Sequence, residues 1–477
     1  MTNDELFRHS SFAIRKFVIH LMSAKNPEES SEQPPRRIEP RTLKGFRDYL
    51  PQTMLPREQI MDTARRVFRS FGFSPIDTPA LEYLEILLGK GGTETDKQLY
   101  RFQDHGGREV GMRFDLTVPL ARFAAQHINE LGTPFKRYHI APVWRGENTQ
   151  RGRFREFIQC DFDTIGTKSV AADAEMILVV RALLGQIGFT KFTVRVNNRS
   201  ILNGLLQKAG LAESSALVLR ALDKLAKIGE AKVAEEMHSA AGATAEQAST
   251  ILKLAQIEGS NDEILKQLDQ LGAGNESATA GVARLREVIE LVGAVPGQQG
   301  TVQIDPSIAR GLDYYTGIVL ETTLDECKIG SICSGGRYDN LADLYTKQEL
   351  PGIGASLGLA RLLDAMEDLG MLADGSTPAQ VFIPYFDAAR LADYLKLAAQ
   401  LRAAGFAVEV YPEPTKLGKQ LQYADRKKFR VALIAGEREF AADECQVKNL
   451  ATTEGKPVSL SDNAAAIIAE VRRILAG

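Results

Sequence analysis

Cysteine is scarce in this chain. Cys160, Cys327, Cys333 and Cys445 are the four among 477 residues, and no two of them form a C-x-x-C pair. That spacing excludes a disulfide framework and a structural zinc site, and it reads as reduced thiols of a cytoplasmic protein. The six histidines are as dispersed, without an H-E-x-x-H spacing. No apolar run reaches the ~18 residues that a membrane span needs, so no membrane partner is expected. Charge of one sign is lacking too. A formal net charge of -3 carries no global footprint of nucleic-acid binding, so any such contact must come from a local patch. There is no G-x-x-x-x-G-K-[ST] run, and Gly352, Gly354 and Gly358 do not fit the dinucleotide spacing. A phosphate-bearing ligand must therefore be gripped by side-chain cations. Finally, Phe, Tyr and Trp are absent from Ser200 to Gly300.

What is present has the ordinary balance of a globular protein, 44% apolar and 25% charged, at a length suited to about three domains. Residues 1–42 read as a disordered leader, with Asn26–Arg41 rich in Pro, Glu, Ser and Arg. Phe7–Met22 carries Arg8, Arg15 and Lys16 among apolar residues. It reads either as a weak targeting segment, against which Asp4 and Glu5 weigh, or as the product of a start mis-assigned upstream of Met22. A core is expected over 43–198 and 301–375. Pro56 opens an amphipathic helix with Ile60, Ala64, Val67, Phe68 and Phe71 on one face, and Gly72 closes it. Phe73–Leu81, with Pro75 and Pro79, reads as an edge strand. Hairpins are expected around Asp104–Gly107 and between Phe135–Glu147 and Arg153–Thr164. Successive hairpins without helices between them predict an antiparallel sheet. The aromatic-free stretch 199–300 is Ala-, Leu-, Glu- and Lys-rich and predicts a helical insertion. From 379 to 477, short strands (VFIPYF, FAVEVY, RVALIAG) alternate with helical stretches, the pattern of a separate α/β domain. The fold class is α+β.

Two separated arginine-rich segments carry the chemistry. In VWRGENTQRGRFREFIQCDFD, Arg145 ends a strand-like run, and Arg151, Arg153 and Arg155 follow against only Glu147 and Glu156. Arg145 reads either as a surface ion pair with Glu147 or as a two-donor phosphate ligand. Phe157 reads as core or as a platform for a purine. Gln159, Asp161 and Asp163 alternate, so one strand face carries all three. That stripe faces solvent, or else it joins Asp115 and Thr117 of MRFDLT, read as strand-spaced, in a pocket for an ammonium group. In ARGLDYYTG, Arg310 stands ready to neutralise developing charge. Tyr314 and Tyr315 point to opposite faces if extended. SGGRYD reads as a tight turn.

Taken together and in this order, MRFDLTVPLAR, VWRGENTQRGRFREFIQCDFD, ARGLDYYTG, SGGRYDNL and GIGASLGLARLL resemble the motifs of histidyl-tRNA synthetases, class II aminoacyl-tRNA synthetases. The likeness runs from about Leu43 to the C-terminus. It implies a class II antiparallel sheet flanked by helices, and a C-terminal α/β anticodon-binding domain. It also implies ATP-dependent formation of histidyl-adenylate and transfer of histidine to the 3′ end of tRNA(His). Arg145 would hold the α-phosphate. Phe157 and Arg361 would sandwich the adenine, with Arg153 and Arg361 on the outer phosphates. Glu147 is placed with the ATP groups, near the acceptor end of the tRNA or the metal. Asp115, Thr117 and Gln159 would receive the α-amino group. Asp163 and Tyr315 would meet the imidazole, beside Tyr314. Arg310 would bridge carboxylate and α-phosphate. Mg2+ is implied with ATP, without assignable ligands.

The sequence departs from many bacterial members in having FDLT where they carry proline-glutamate-glycine-threonine, and in having Ala360 before Arg361. The helix at Pro56 and the strand after it look like class II motif 1, a homodimer interface in that family. From Lys416 to Arg430 six cations face one anion. The patch reads as a solvated helix face or, through the resemblance, as a tRNA contact made by Lys416, Lys419, Arg426, Lys427 and Lys428. The rival reading is a catalytically inactive, histidine-sensing regulatory paralogue of histidine biosynthesis. Such proteins generally lack the C-terminal α/β domain and degrade the arginine set, and this chain has both.

Overall fold

The computed structural model describes residues 38–88, 93–309, 315–372 and 375–476. Of the expected leader, residues 1–37 lie outside the described residues, as do Arg310 and Tyr314. Residues 38–44 belong to a unit of their own and contain neither helix nor strand.

The second unit begins at Gly45. Helix α1 spans Pro51–Ser70, five residues earlier than the sequence suggests, because Pro51 rather than Pro56 takes the first turn. Pro56 sits inside the helix, where its ring is buried although it forfeits one backbone hydrogen bond. Ile60, Ala64, Val67 and Phe68 form the buried face. Beyond Phe71 the chain turns through Gly72 at φ +81°, a conformation glycine adopts without strain.

The next elements are β1 (Ser74–Pro75), β2 (Leu81–Tyr83), β3 (Arg101–Gln103), β4 (Glu109–Met112), α2 (Thr117–Leu131), β5 (Phe135–Trp144) and β6 (Glu156–Ile165). They are followed by α3 (Val170–Ile187), β7 (Phe192–Asn198), α4 (Arg199–Lys208), a run of further helices ending in α5 (Glu276–Gly293), then β8 (Thr301–Ile304) and β9 (Ile318–Leu324). The run closes with β10 (Cys333–Tyr338), β11 (Gly352–Gly358) and α6 (Leu359–Asp368).

Eight strands form one sheet in the order β1-β5-β6-β11-β10-β9-β7-β8. Its interior is antiparallel, as the hairpins predict. Both edges are parallel, β1 on β5 and β8 on β7, which the hairpin pattern does not reveal. Proline-bearing β1 is an edge strand, where a missing N–H is harmless. The expected hairpins form as β3–β4 and β5–β6. SGGRYD is not a turn. It lies almost wholly in β10, between β9 and β11.

One face of β6 buries Cys160 and Phe162 against α1, with Phe162 stacked on Phe68 at 4.8 Å between ring centroids. That apolar core runs on without a break through α3 and into the helices of 199–293, including Val218, Ile264 and Leu285. Aliphatic packing thus does the work that aromatics do elsewhere.

Further along lie β12 (Val381–Ile383), α7 (Leu391–Ala403), β13 (Val408–Val410), α8 (Leu417–Lys427), β14 (Val431–Ile434), β15 (Glu444–Asn449) and β16 (Gly455–Ser459). They form a second sheet, β13-β12-β14-β15-β16, parallel in its first three strands and antiparallel in the last two. The antiparallel hairpin is largely polar, so it escapes a reading based on apolar runs. Among the described residues no helix is long and apolar enough to cross a membrane.

Candidate active site

The polar face of β6 does not meet solvent. Gln159, Asp161 and Asp163 are all buried and line a cavity of about 320 Å³. Ten of the residues expected from the sequence meet there: Asp115, Thr117, Arg145, Glu147, Arg153, Phe157, Gln159, Asp163, Tyr315 and Arg361. They arrive from the β5–β6 hairpin, from the start of α2, from the chain before β9 and from the start of α6. Arg310 and Tyr314 lie outside the described residues. Lys416, Lys419, Arg426, Lys427 and Lys428 sit on and beside α8, in the part of the chain that forms the second sheet.

At one end cations gather. Arg145 does not pair with Glu147. Its Nε donates to the Phe114 carbonyl at 2.8 Å, and its guanidinium lies 5.2 Å from the centre of the Phe157 ring. Glu147 faces Arg153 instead, at 3.5 Å. Arg361 donates to the Ser331 carbonyl at 2.7 Å and packs under Gly152, where a Cβ would stand 3.1 Å from Arg361 Cγ. With three arginines against Glu147, this end suits an anion next to an aromatic face.

At the other end acids gather. Asp115 and Thr117 are not strand-spaced. Thr117 is the first residue of α2, and Asp115 Oδ1 accepts from the Val118 N–H at 3.0 Å. A carboxylate satisfies a free N–H at a helix start, which explains why the local run stops being extended there. Asp163 is fixed from two sides. Its Oδ2 lies 2.7 Å from Arg137 Nη2, and its Oδ1 accepts from the Tyr338 hydroxyl. Gly354 makes room for it, since a Cβ there would fall 1.8 Å from Asp163 Oδ1.

Burial pushes the carboxyl groups of Asp115 and Asp163 upward, with Arg137 acting against the rise. Asp161 is driven up to about 7, first by burial and then by Asp163, against Arg137. Burial also holds the Tyr338 hydroxyl well above its usual range. Tyr315 packs on Gly336, where a Cβ would come within 2.9 Å of its ring. Behind it, the Thr316 N–H donates to the Arg337 carbonyl at 2.7 Å. Arg337 in turn donates to the fully buried Asp173, whose other oxygen accepts from Arg284 of α5 at 2.7 Å.

Sequence reasoning passes over Arg137 and Tyr338, which hold Asp163. Among the described residues Arg137 is the largest fully buried side chain, and its position opposite Asp163 is legible only from the hairpin register. Tyr338 is hidden in the segment read as a turn.

A cation-rich end beside an aromatic ring, joined to an acidic end built around a fixed carboxylate, is what joining a nucleotide to a small cationic molecule requires. Residues 45–362 match the sequence pattern of the family described as histidyl-tRNA synthetase, and residues 380–470 match that of an anticodon binding domain. The chain belongs to the histidyl-tRNA synthetase family. It is 64% identical over 425 residues to a histidine–tRNA ligase of Rhodopirellula baltica, which covers 89% of this chain and 96% of that relative. A histidine–tRNA ligase of Wolinella succinogenes is 45% identical, covering 90% and 98%. The crystal structure of histidyl-tRNA synthetase from Nostoc sp. PCC 7120 superposes with a TM-score of 0.82 at 37% identity, covering 92% of this chain and 100% of that one.

Proposed function

We propose that this chain is a histidine–tRNA ligase. It activates histidine with ATP to histidyl-adenylate and pyrophosphate, then transfers histidine to the 3′ end of tRNA(His). The observation that carries this reading is the single cavity that joins the arginines around Phe157 to the acidic end around Asp163.

In the first step the histidine carboxylate attacks the α-phosphorus, and pyrophosphate leaves. Both reactants are anionic, so positioning and neutralisation are the levers. Arg145, aimed by the Phe114 carbonyl, takes the α-phosphate. Phe157 and Arg361 hold the adenine between them, a stack worth ~1–3 kcal/mol. Arg153 and Arg361 meet the outer phosphates. Arg310, carried over from the family resemblance, bridges carboxylate and α-phosphate. Asp115, Thr117 and Gln159 receive the ammonium group, while Asp163 and Tyr315, beside Tyr314, meet the imidazole. In the second step a terminal ribose hydroxyl of the tRNA attacks the acyl carbon, AMP departs with the bond electrons, and the hydroxyl proton is lost to the phosphate of the departing AMP.

Specificity follows from satisfied pairing. A side chain without two ring nitrogens leaves buried partners unmatched, and such sites reject analogues by about 10⁴-fold.

Mg2+, which favours oxygen ligands shared with substrate phosphates, would be held by the phosphates together with the Glu147 carboxylate on the cavity wall, and would supply charge neutralisation on the pyrophosphate. Residues 199–300 serve as an insertion into a core of 43–198 and 301–375, and 379–477 serve as the anticodon-binding domain. Lys416, Lys419, Arg426, Lys427 and Lys428 contact tRNA there. A homodimer through α1 and β1, working in the cytoplasm, completes the proposal. The regulatory reading is not favoured, because the arginine set and the second sheet are both present.

ATP–pyrophosphate exchange across the twenty amino acids tests the reading. Exchange with histidine alone is expected. Exchange with another amino acid, or with none, overturns it.

A further inference from the structure

Asp161 is given no role in the proposed reaction, yet it lies on the same strand face as Gln159 and Asp163 and lines the same cavity. It is 2% exposed. Among the described residues its Oδ1 has no hydrogen-bond partner, and the Oε1 of neighbouring Gln159 has none either. Gln159 Nε2 donates to Ser356 Oγ at 2.9 Å, which fixes the amide in orientation. Amide and carboxylate each have an acceptor left over.

A buried acceptor without a donor costs about 1–3 kcal/mol, and more when it is charged. Leaving such groups without protein donors makes sense if a ligand brings the donors. An ammonium group carries three N–H donors. Asp115 spends Oδ1 on the Val118 N–H. Gln159 Oε1 and Asp161 Oδ1 are two open acceptors on the cavity that Asp115 also lines.

We propose that Asp161 is a further substrate-binding residue, accepting one N–H of the α-ammonium group of the amino acid. This rests on the histidine reading above. It adds a second carboxylate to the ammonium site and gives the acidic end a basis for discriminating amino acids from the corresponding deamino acids.

The test compares the wild-type full chain with Asp161→Asn by calorimetric titration of two ligands, histidine and imidazole-4-propionate. The second has the same ring and carboxylate but no amino group. Loss of roughly 10- to 100-fold in histidine affinity is expected, the range for one hydrogen bond to a charged group, with imidazole-propionate affinity unchanged. Equal losses for both ligands, or no loss, overturn the proposal. Thermal unfolding of the ligand-free proteins supplies a second readout. A carboxylate kept for a ligand is a burden in its absence, so Asp161→Asn should melt at or above the wild-type temperature. A clear drop assigns Asp161 a structural role and overturns the proposal. If wild-type protein fails to bind histidine, the functional reading itself fails, and that result is separable from either outcome at Asp161.

Discussion

Arg137 and Asp163 face each other at paired positions of the β5–β6 hairpin, Nη2 2.7 Å from Oδ2, both closed off from solvent. Replacing one member of such a pair strands the other as an uncompensated buried charge. Arg137→Leu is therefore expected to lower stability by ~3–5 kcal/mol at neutral pH. Urea unfolding measures it, and an unchanged midpoint would show that Asp163 does not depend on this partner.

Gly354 lies over the same carboxylate. A methyl group 1.8 Å from Asp163 Oδ1 cannot be accommodated while Asp163 stays in place. Gly354→Ala should raise the KM for histidine at least tenfold while the KM for ATP changes little. Equal rises in both would mean that the whole cavity, not the acidic end, is disturbed.

Arg145 is expected to serve chemistry rather than folding. Its Nε contact is to a carbonyl next to the cavity, and among the described residues no ion pair holds the side chain in place. Arg145→Ala should cut the exchange rate by about 10²–10³, the usual loss of one charge-stabilising donor, with the circular dichroism spectrum unchanged. Arg145→Lys should not rescue it, because a point charge cannot reproduce a planar pair of donors. Rescue by lysine would reduce its role to net charge.

Asp161 gives a pH signature. Its carboxyl rises to about 7 in the folded protein, through burial. In the unfolded chain it titrates near 3.9, as a free aspartate does. Between those values the folded protein holds the extra proton, so this group stabilises the fold at low pH and progressively loses that effect as pH rises toward 7. Asp115 and Asp163 shift in the same direction, while Arg137 opposes all three. The stability of Asp161→Asn relative to wild type should accordingly grow from pH 5 to pH 8. A difference that stays flat across the window would contradict the assignment.

On α8, Lys427 lies 5.5 Å from the centre of the Tyr423 ring and Lys428 closes the helix, whereas the guanidinium of Arg430 is taken by the Ile474 and Leu475 carbonyls. Lys428 also pairs with Asp425 at 3.9 Å, an exposed contact that contributes little to the fold, so these two lysines are the ones to reverse. Lys427→Glu with Lys428→Glu should raise the KM for tRNA and flatten its salt dependence, while histidine-dependent exchange is spared. Unaltered charging kinetics would return the patch to an ordinary solvated helix face.

The hairpins, the aromatic-free helical stretch and the α/β pattern near the C-terminus were legible because periodicity and turn residues report them directly. The cavity wall along β6 was legible for the same reason, as alternation places Gln159, Asp161 and Asp163 on one face. What stayed hidden depends on register and on crossovers. The pairing of Arg137 with Asp163 needs the hairpin to close at one register. The reach of Tyr338 needs β10 to enter the sheet between β9 and β11, and a glycine pair in SGGRYD imitates a turn. Asp115 and Thr117 look extended in sequence, but the carboxylate caps a helix. Parallel edge strands leave no local trace at all.

The central claim is that one chain both activates histidine and passes it to RNA. Aminoacylation of a tRNA(His) transcript by the purified full chain, with histidine and ATP, tests it most directly. Charging of the transcript in proportion to enzyme and time, absent with a non-cognate transcript, is the predicted result. Folded protein that binds histidine yet leaves the transcript uncharged would contradict it and restore the regulatory reading.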